Sequence, residues 1–249
     1  MRKAKVYFSD FRTSLGVSQG VKLQRLIKKA GISDIDFDGK FVAIKMHFGE
    51  LGNFAYLRPN YVKAVADVVK ELGGKPFLTD CNTLYPGSRK NAVDHLLNAE
   101  INGFNSVTTG CHVIIADGLR GTDDIEVPVH NGEYCKTALI GRAIMDADVV
   151  ISLSHFKGHE ATGFGGAIKN IGMLASFDPV ALDQACADLC QQATPIRNSQ
   201  LGDNLARPDW HHYHDHFKDS NPNIHWKETL IHGEKIGLGT REYELIEVK

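Results

Sequence analysis

Four short segments place proton-moving or charged side chains directly after strand-like apolar runs. Lys45-Met46-His47-Phe48-Gly49-Glu50 closes the run Phe41–Met46, and Asp80-Cys81-Asn82-Thr83 follows Lys75–Thr79. Asp117-Gly118 follows Val113–Ala116, and Ser154-His155-Phe156-Lys157-Gly158-His159 follows Asp148–Ser154. Imidazoles titrate near neutrality and serve as general acids and bases, while lysines hold anions. In parallel sheets such groups meet, because the carboxyl ends of the strands share one edge. The expectation is therefore one cleft in which His155, Lys157, His159 and Lys169 converge. Lys45, His47, Asp80 and Asp117 would close it. Its lysines and histidines would make it locally positive and suited to a carboxylate or phosphate ester. Asp80 and Asp117 would orient an imidazole tautomer or help hold a cation.

The densest segment runs from His159 to Asn170. Gly163, Gly165 and Gly166 permit close backbone approach, and such a loop can aim successive N–H groups at an anion. Lys169 supplies a point charge and Asn170 a polar neighbour. The segment is not a Walker A motif, since Gly-Lys-Ser/Thr is missing, and its glycine spacing is not that of a dinucleotide fingerprint. The opposing reading is a glycine-rich turn chosen for packing. His155 and His159 are four apart; on a helix they would share a face and could ligate a divalent metal with His47. Gly158 argues against that helix, so metal ligation and acid–base work both stay open for His47, His155 and His159.

The elements needed to position these groups are visible as alternating patterns. Apolar periodicity predicts helices at Val17–Ala30, Asn60–Leu72, Ser88–Ile101, Thr137–Met145, Ala181–Gln191 and Lys227–Ile236. Ala4–Phe8 and Ile125–Val129 add strands to the four already named. Strands alternating with helices imply an α/β fold, a mainly parallel sheet with helices on both faces. No linker or repeat divides the chain, so a single α/β domain over residues 1–249 is expected. Residues 194–226, rich in Asn, Asp and Pro, are expected to form an irregular C-terminal wrap. Asp178-Pro179 reads as an N-cap followed by proline at the first helical position. The run Asp209-Trp210-His211-His212-Tyr213-His214-Asp215-His216 reads as a polar surface stretch in preference to a dedicated metal site.

Composition excludes several classes. The 249 residues carry 28 basic and 30 acidic side chains, so bulk charge draws in neither nucleic acid nor an anionic membrane. The longest apolar runs are far too short to span a bilayer. Met1–Phe8 leads straight into a strand-like pattern without a signal-like apolar region, and a cytoplasmic protein is expected. The five cysteines are scattered, which fits reduced thiols. Cys186 and Cys190, four apart on a helix, read as buried thiols in preference to metal ligands. No C-x-x-C occurs, so no motif in this chain carries a cofactor.

Lys45-x-His47-x-Gly49, Ser154-His155-Phe156-Lys157-Gly158-His159, Gly163 to Met173 and Ala175 to Gln184 together resemble the family called domain of unknown function three-six-two. Ile114–Leu119 and Lys235–Gly239 extend the likeness along nearly the whole chain. The resemblance implies kinship with iron–sulfur cluster-binding proteins, many of which carry a ferredoxin-like insert after the equivalent of Met173. Here Met173 runs directly into Leu174. The implied role is then a redox-linked enzyme, or its substrate-binding module, acting on an anionic small molecule and served by a separate ferredoxin-like electron carrier. The alternatives are a non-catalytic anion-binding protein or a racemase-like enzyme. The last rests on a shorter likeness: His159-x-x-x-Gly163, Gly166 and Lys169 are similar to the active-site stretch of nickel-pincer lactate racemases. That likeness implies acid–base or ligand duty for His159 and cofactor or anion anchoring for Lys169.

Overall fold

The computed structural model describes residues 3–159, 163–166 and 172–249, with side chains at 3–157 and 172–249. In chain order the first elements are β1 (Ala4–Ser9), α1 (Gln19–Ala30), β2 (Phe41–Lys45), α2 (Pro59–Glu71), β3 (Lys75–Asp80), α3 (Ala92–Ile101) and α4 (Ser106–Thr109). Next come β4 (Val113–Ile115), β5 (Asp124–Pro128), β6 (Thr137–Gly141), α5 (Arg142–Met145) and β7 (Val149–Ser152). The remainder is β8 (Phe156–His159), β9 (Gly163–Gly166), β10 (Met173–Ala175), α6 (Pro179–Gln192), α7 (Gln200–Leu205), α8 (His216–Ser220), α9 (Trp226–Lys235) and β11 (Tyr243–Glu247). These elements gather into two compact units, residues 14–154 and residues 1–13 with 155–249.

The unit of residues 14–154 is built on a four-stranded, all-parallel sheet in the order β4-β3-β2-β7. These are the four strands whose polar ends stand out in the sequence. Parallel strands covered on both faces cannot alternate in polarity, and β2 accordingly reads Phe-Val-Ala-Ile before Lys45. Val42, Ala43 and Ile44 are fully buried. Val42 packs with Ile32, Phe37, Val68 and Val69, flanked by Val149 and Ile151 of the neighbouring strand. The flanking helices carry local signals. Ser18 Oγ accepts the Val21 N–H to start α1, and Gly31 at φ 107° stops it. Pro59 opens α2.

Two elements depart from the periodicity. The helix expected from Ser88 begins at Ala92, because Asn91 caps it by accepting the Asp94 N–H at 3.0 Å. Arg89 is left outside the helix, and its carbonyl accepts from the Thr83 N–H. The helix expected over Thr137–Met145 is a strand followed by one helical turn. Thr137–Gly141 pairs antiparallel with β5, Ile140 opposite Ile125 and Leu139 opposite Glu126, and this pairing outweighs the weak local helical pattern. Residue 141 is glycine for a steric reason. A Cβ there would lie 2.9 Å from Ala116 and 3.0 Å from Cys81 Sγ.

In residues 1–13 and 155–249, β1 lies between β10, to which it is antiparallel, and β11, to which it is parallel. Val6 of β1 packs against Ala181 and Ala185 of α6. Asp178 caps α6 as its sequence predicts, accepting the Ala181 N–H at 2.9 Å, and also takes the Thr240 N–H at 3.0 Å. A second core gathers Phe156, Val180, Ala187, Phe217, Trp226 and Leu230. The stretch 194–226, expected to be irregular, carries the short helices α7 and α8. The glycine segment is not a free loop at Gly163–Gly166. Its backbone is a strand paired with β8, Lys157 opposite Gly165 and Gly158 opposite Phe164.

Leu78, fully buried in β3, is expected to cost about 2–5 kcal/mol on Leu78→Ala. Leu84→Ala, at a fully exposed side chain, is expected to stay within about 0.5 kcal/mol. Urea unfolding of both variants checks the contrast.

Candidate functional site at the carboxyl edge of the parallel sheet

The four parallel strands of residues 14–154 end at Lys45, Asp80, Ile115 and Ser152. Sequence order reverses at β2, which has β3 on one side and β7 on the other, the kind of switch point where α/β sheets bind ligands. Lys45 stands there, paired in register with Thr79 on one side and Ser152 on the other. Ser152 Oγ lies 3.1 Å from Ser154 Oγ.

The structure brings Lys45 and Asp80 together, with Nζ 3.4 Å from Oδ1. The carboxylate side chain is 9% exposed and the lysine side chain 44%, so the anion faces inward and the cation outward. Asp80 Oδ1 also accepts the Cys81 N–H at 3.0 Å. Behind it, Arg89 is almost wholly buried and sets Nη1 3.7 Å from Asp80 Oδ2. The same guanidinium donates through Nη2 and Nε to Glu50 Oε1, and through Nη2 to Tyr85 Oη at 2.6 Å. Burial raises the Asp80 carboxyl above the ordinary range, and the charge of Lys45 is the largest influence pulling it back. Burial also pushes Glu50 upward, but the Arg89 hydrogen bond and charge prevail and hold it below the ordinary range.

His47 sits on a loop pinned from several directions. Met46 N–H donates to the Thr79 carbonyl, and Asn98 of α3 and Asn102 at its C-terminal cap donate to the carbonyls of Gly49 and Phe48, each at 2.9 Å. Gly49 stands at φ +85°, and a Cβ there would come 2.7 Å from the Tyr56 ring. Its N–H donates to His47 Nδ1 at 2.9 Å, so in the neutral ring the proton resides on Nε2. Asp117, buried at the end of β4, serves its neighbour loop. It accepts both the backbone and side-chain N–H groups of Asn82 at 2.9–3.0 Å. Cys81 is held as a thiol, raised first by burial and then by the charges of Asp117 and Asp80.

Within this unit the expected positive character is not carried by the strand ends alone, because Lys45 faces Asp80, and Arg89 faces both Asp80 and Glu50. Of the other expected residues, His155, Lys157, His159, Gly163, Gly165 and Gly166 fall in the unit of residues 1–13 and 155–249. The side chain of His159 lies outside the described residues, as do Lys169 and Asn170. Among the described residues no three His, Cys, Asp or Glu side chains are grouped to hold a metal ion. Sequence reasoning overlooked Arg89, Tyr85 and His95. Arg89 precedes a helix in a polar stretch and offers no periodic signal. His95 sits on the buried face of α3, where an imidazole reads as core.

That imidazole has a measurable consequence. His95 is fully buried, its ring edge-on to Phe48 at 5.7 Å and its Nε2 4.0 Å from Asp80 Oδ2. Neither ring nitrogen has a hydrogen-bond partner among the described residues. Burial first, then the Arg89 charge, lowers it from 6.5 to about 4, so the ring is neutral at pH 7 and makes no ion pair with Asp80. As pH falls below 6.5 the unfolded chain takes up this proton and the folded chain does not, so stability falls until the pH reaches about 4. The contribution amounts to about 2 kcal/mol between pH 7.5 and pH 5. Urea unfolding at the two pH values is expected to show it in the native protein. His95→Gln should remove that share of the pH dependence.

Comparison with known proteins covers all four strand ends. The model of the family described as "Domain of unknown function (DUF362)" matches residues 42–173, a span that begins in β2 and ends at the first residue of β10. Among curated proteins, the thylakoid-associated protein sll1697 of Synechocystis sp. is 31% identical over 122 residues, which is 48% of this chain. The match spans only 33% of that relative's length. Lys45, His47, Asp80, Asp117, His155 and His159 all lie inside the family match, and the chain belongs to the DUF362 family.

Proposed function

We propose that the chain is a redox-linked enzyme or the substrate-binding module of one, taking an anionic small molecule at the carboxyl edge of its parallel sheet. The observation that carries this reading is the Lys45–Asp80 pair. A half-exposed ammonium rests on a buried carboxylate, which is itself backed by a buried guanidinium. Such a lysine is held in one place and keeps surface for a ligand, while Asp80 compensates its charge in the unliganded state. His47 adds an imidazole whose tautomer is fixed by the Gly49 N–H, with Nε2 left as the donor in the neutral ring.

The redox part of the reading rests on the family resemblance. The electron carrier is assigned to a separate ferredoxin-like protein, because Met173 and Leu174 are consecutive residues of β10 and leave no insert between them. Among the described residues no helix is long and apolar enough to cross a membrane.

Thermal-shift titration with hydroxycarboxylates and phosphate esters tests the site. At least one ligand is expected to raise the melting midpoint of the native protein, since a ligand bound only by the folded state stabilises it. Lys45→Met should abolish that rise. Its side chain is exposed enough that the fold is expected to survive. A panel in which every stabilising ligand acts equally on Lys45→Met would rule the site out. For the electron carrier, retention of reduced ferredoxin on the immobilised protein is the supporting result, and no retention at low ionic strength counts against it.

A further inference from the structure

Residues 155–249 enclose a cavity of about 560 Å³ between the carboxyl-terminal part of α6, the histidine run and the start of α9. The volume is that of a small-molecule site. Its wall contains three carboxylates, and the fold consumes all three. Asp188 accepts from Gln184 Nε2 and from the Tyr243 hydroxyl, each at 2.8 Å. Asp215 is buried and accepts from Gln191 Nε2 at 2.8 Å, Trp226 Nε1 at 3.0 Å and the first N–H groups of α8. Asp219, also buried, accepts the N–H groups of Tyr213 at 2.9 Å and Asp215 at 3.1 Å.

What the wall keeps for a ligand is donors. Lys227 lies 3.6 Å from Asp215 Oδ2 and 5.4 Å from the Trp226 ring centroid, with its side chain 65% exposed. The imidazoles of His212 and His214 line the cavity and have no hydrogen-bond partner among the described residues. His214 stands at φ +53°, a left-handed conformation uncommon outside glycine and often kept at ligand-binding positions. Because no three potential ligands are grouped for a metal among the described residues, these imidazoles are not a metal cage. Each carboxylate is engaged by donors of the fold, and the wall groups that remain to meet a ligand are an ammonium and two imidazoles, donors suited to an oxyanion.

We infer that this cavity binds a small molecule through a phosphate or carboxylate group, held by Lys227, His212 and His214. The site is independent of Lys45 and lies beyond the segment matched by the family model. Isothermal titration of the full chain with inorganic phosphate, with succinate, and with chloride at matched ionic strength tests it. Saturable heat is expected from phosphate or succinate and not from chloride, and the responding probe distinguishes a phosphorylated from a carboxylated ligand. Lys227→Ala and His214→Asn are each expected to weaken binding by about tenfold, the usual scale for losing one charge-assisted contact. Asparagine tolerates the positive φ, so the second variant keeps the backbone. The Lys45→Met chain, which lacks the ammonium of the other proposed site, should still bind the responding probe saturably. The inference is overturned by absence of saturable heat from both probes, by undiminished affinity in both cavity variants, or by loss of binding in Lys45→Met alone.

Discussion

A carboxylate taken out of water at the end of a parallel strand has to be compensated by charge or by hydrogen bonds, and Asp80 is in that position. Desolvation favours its protonated form. Three partners from three different parts of the chain oppose this: the Cys81 N–H, the Lys45 ammonium from the next strand and the Arg89 guanidinium. Arg89 is buried too and needs its own counter-charge, which Glu50 provides from the loop after β2. That loop is in turn held by Asn98 of α3 and Asn102 at its C-terminal cap. One buried anion thus fixes the relative placement of two strand ends, one loop and the entry to a helix. Removing the buried Arg89 would take a counter-charge from Asp80 and Glu50 together, the costly case for such networks, whereas Lys45 is half exposed and its loss leaves Asp80 two partners.

Much of this unit was legible before its geometry was known. Short apolar stretches within Phe41–Met46, Lys75–Thr79, Val113–Ala116 and Asp148–Ser154 predict the parallel strands, and the polar residues just beyond them mark the edge. The partners that hold the edge together were not legible. Arg89 and Glu50 are 39 residues apart, and nothing local to either names the other. Thr137–Gly141 was misread because five residues of mixed apolar character fit either period. Its strand partner, β5, decides the matter from outside the segment. Of the expected constellation, Lys45 and Asp80 are in direct contact, and Asp117 is occupied with Asn82.

The histidine run is exposed as its composition predicts, but its base is not. Composition marked Asp209–His216 as a surface stretch, and His211 to His214 are indeed exposed. Asp215 and Asp219 are not. Each is buried, and together they receive N–H groups from Trp210, Tyr213, Asp215, Phe217, Lys218 and Trp226. Buried carboxylates saturated in this way order the backbone around them. The exposed imidazoles are therefore presented by a rigid base, and a polar tract that composition reads as solvated becomes the wall of a cavity.

The strand β10 is the place where the resemblance implies an insert in relatives. Met173 and Leu174 face Ser9 and Phe8 in consecutive register, and Met173 is buried. A segment inserted between them would have to leave and re-enter the ladder between adjacent pairs, displacing one from β1. Where it is absent, the strand closes directly and Asp178 can cap α6 four residues later while also holding the Thr240 N–H. Two cysteines follow on α6. Cys186 and Cys190 are both raised by burial, Cys190 to about 12, and the Cys190 thiol donates to the Cys186 carbonyl. Thiols kept protonated in an apolar core are poor metal ligands. The proposed redox-linked role accordingly assigns the electron carrier to a separate protein, and the chain's own part in that proposal is to hold the substrate.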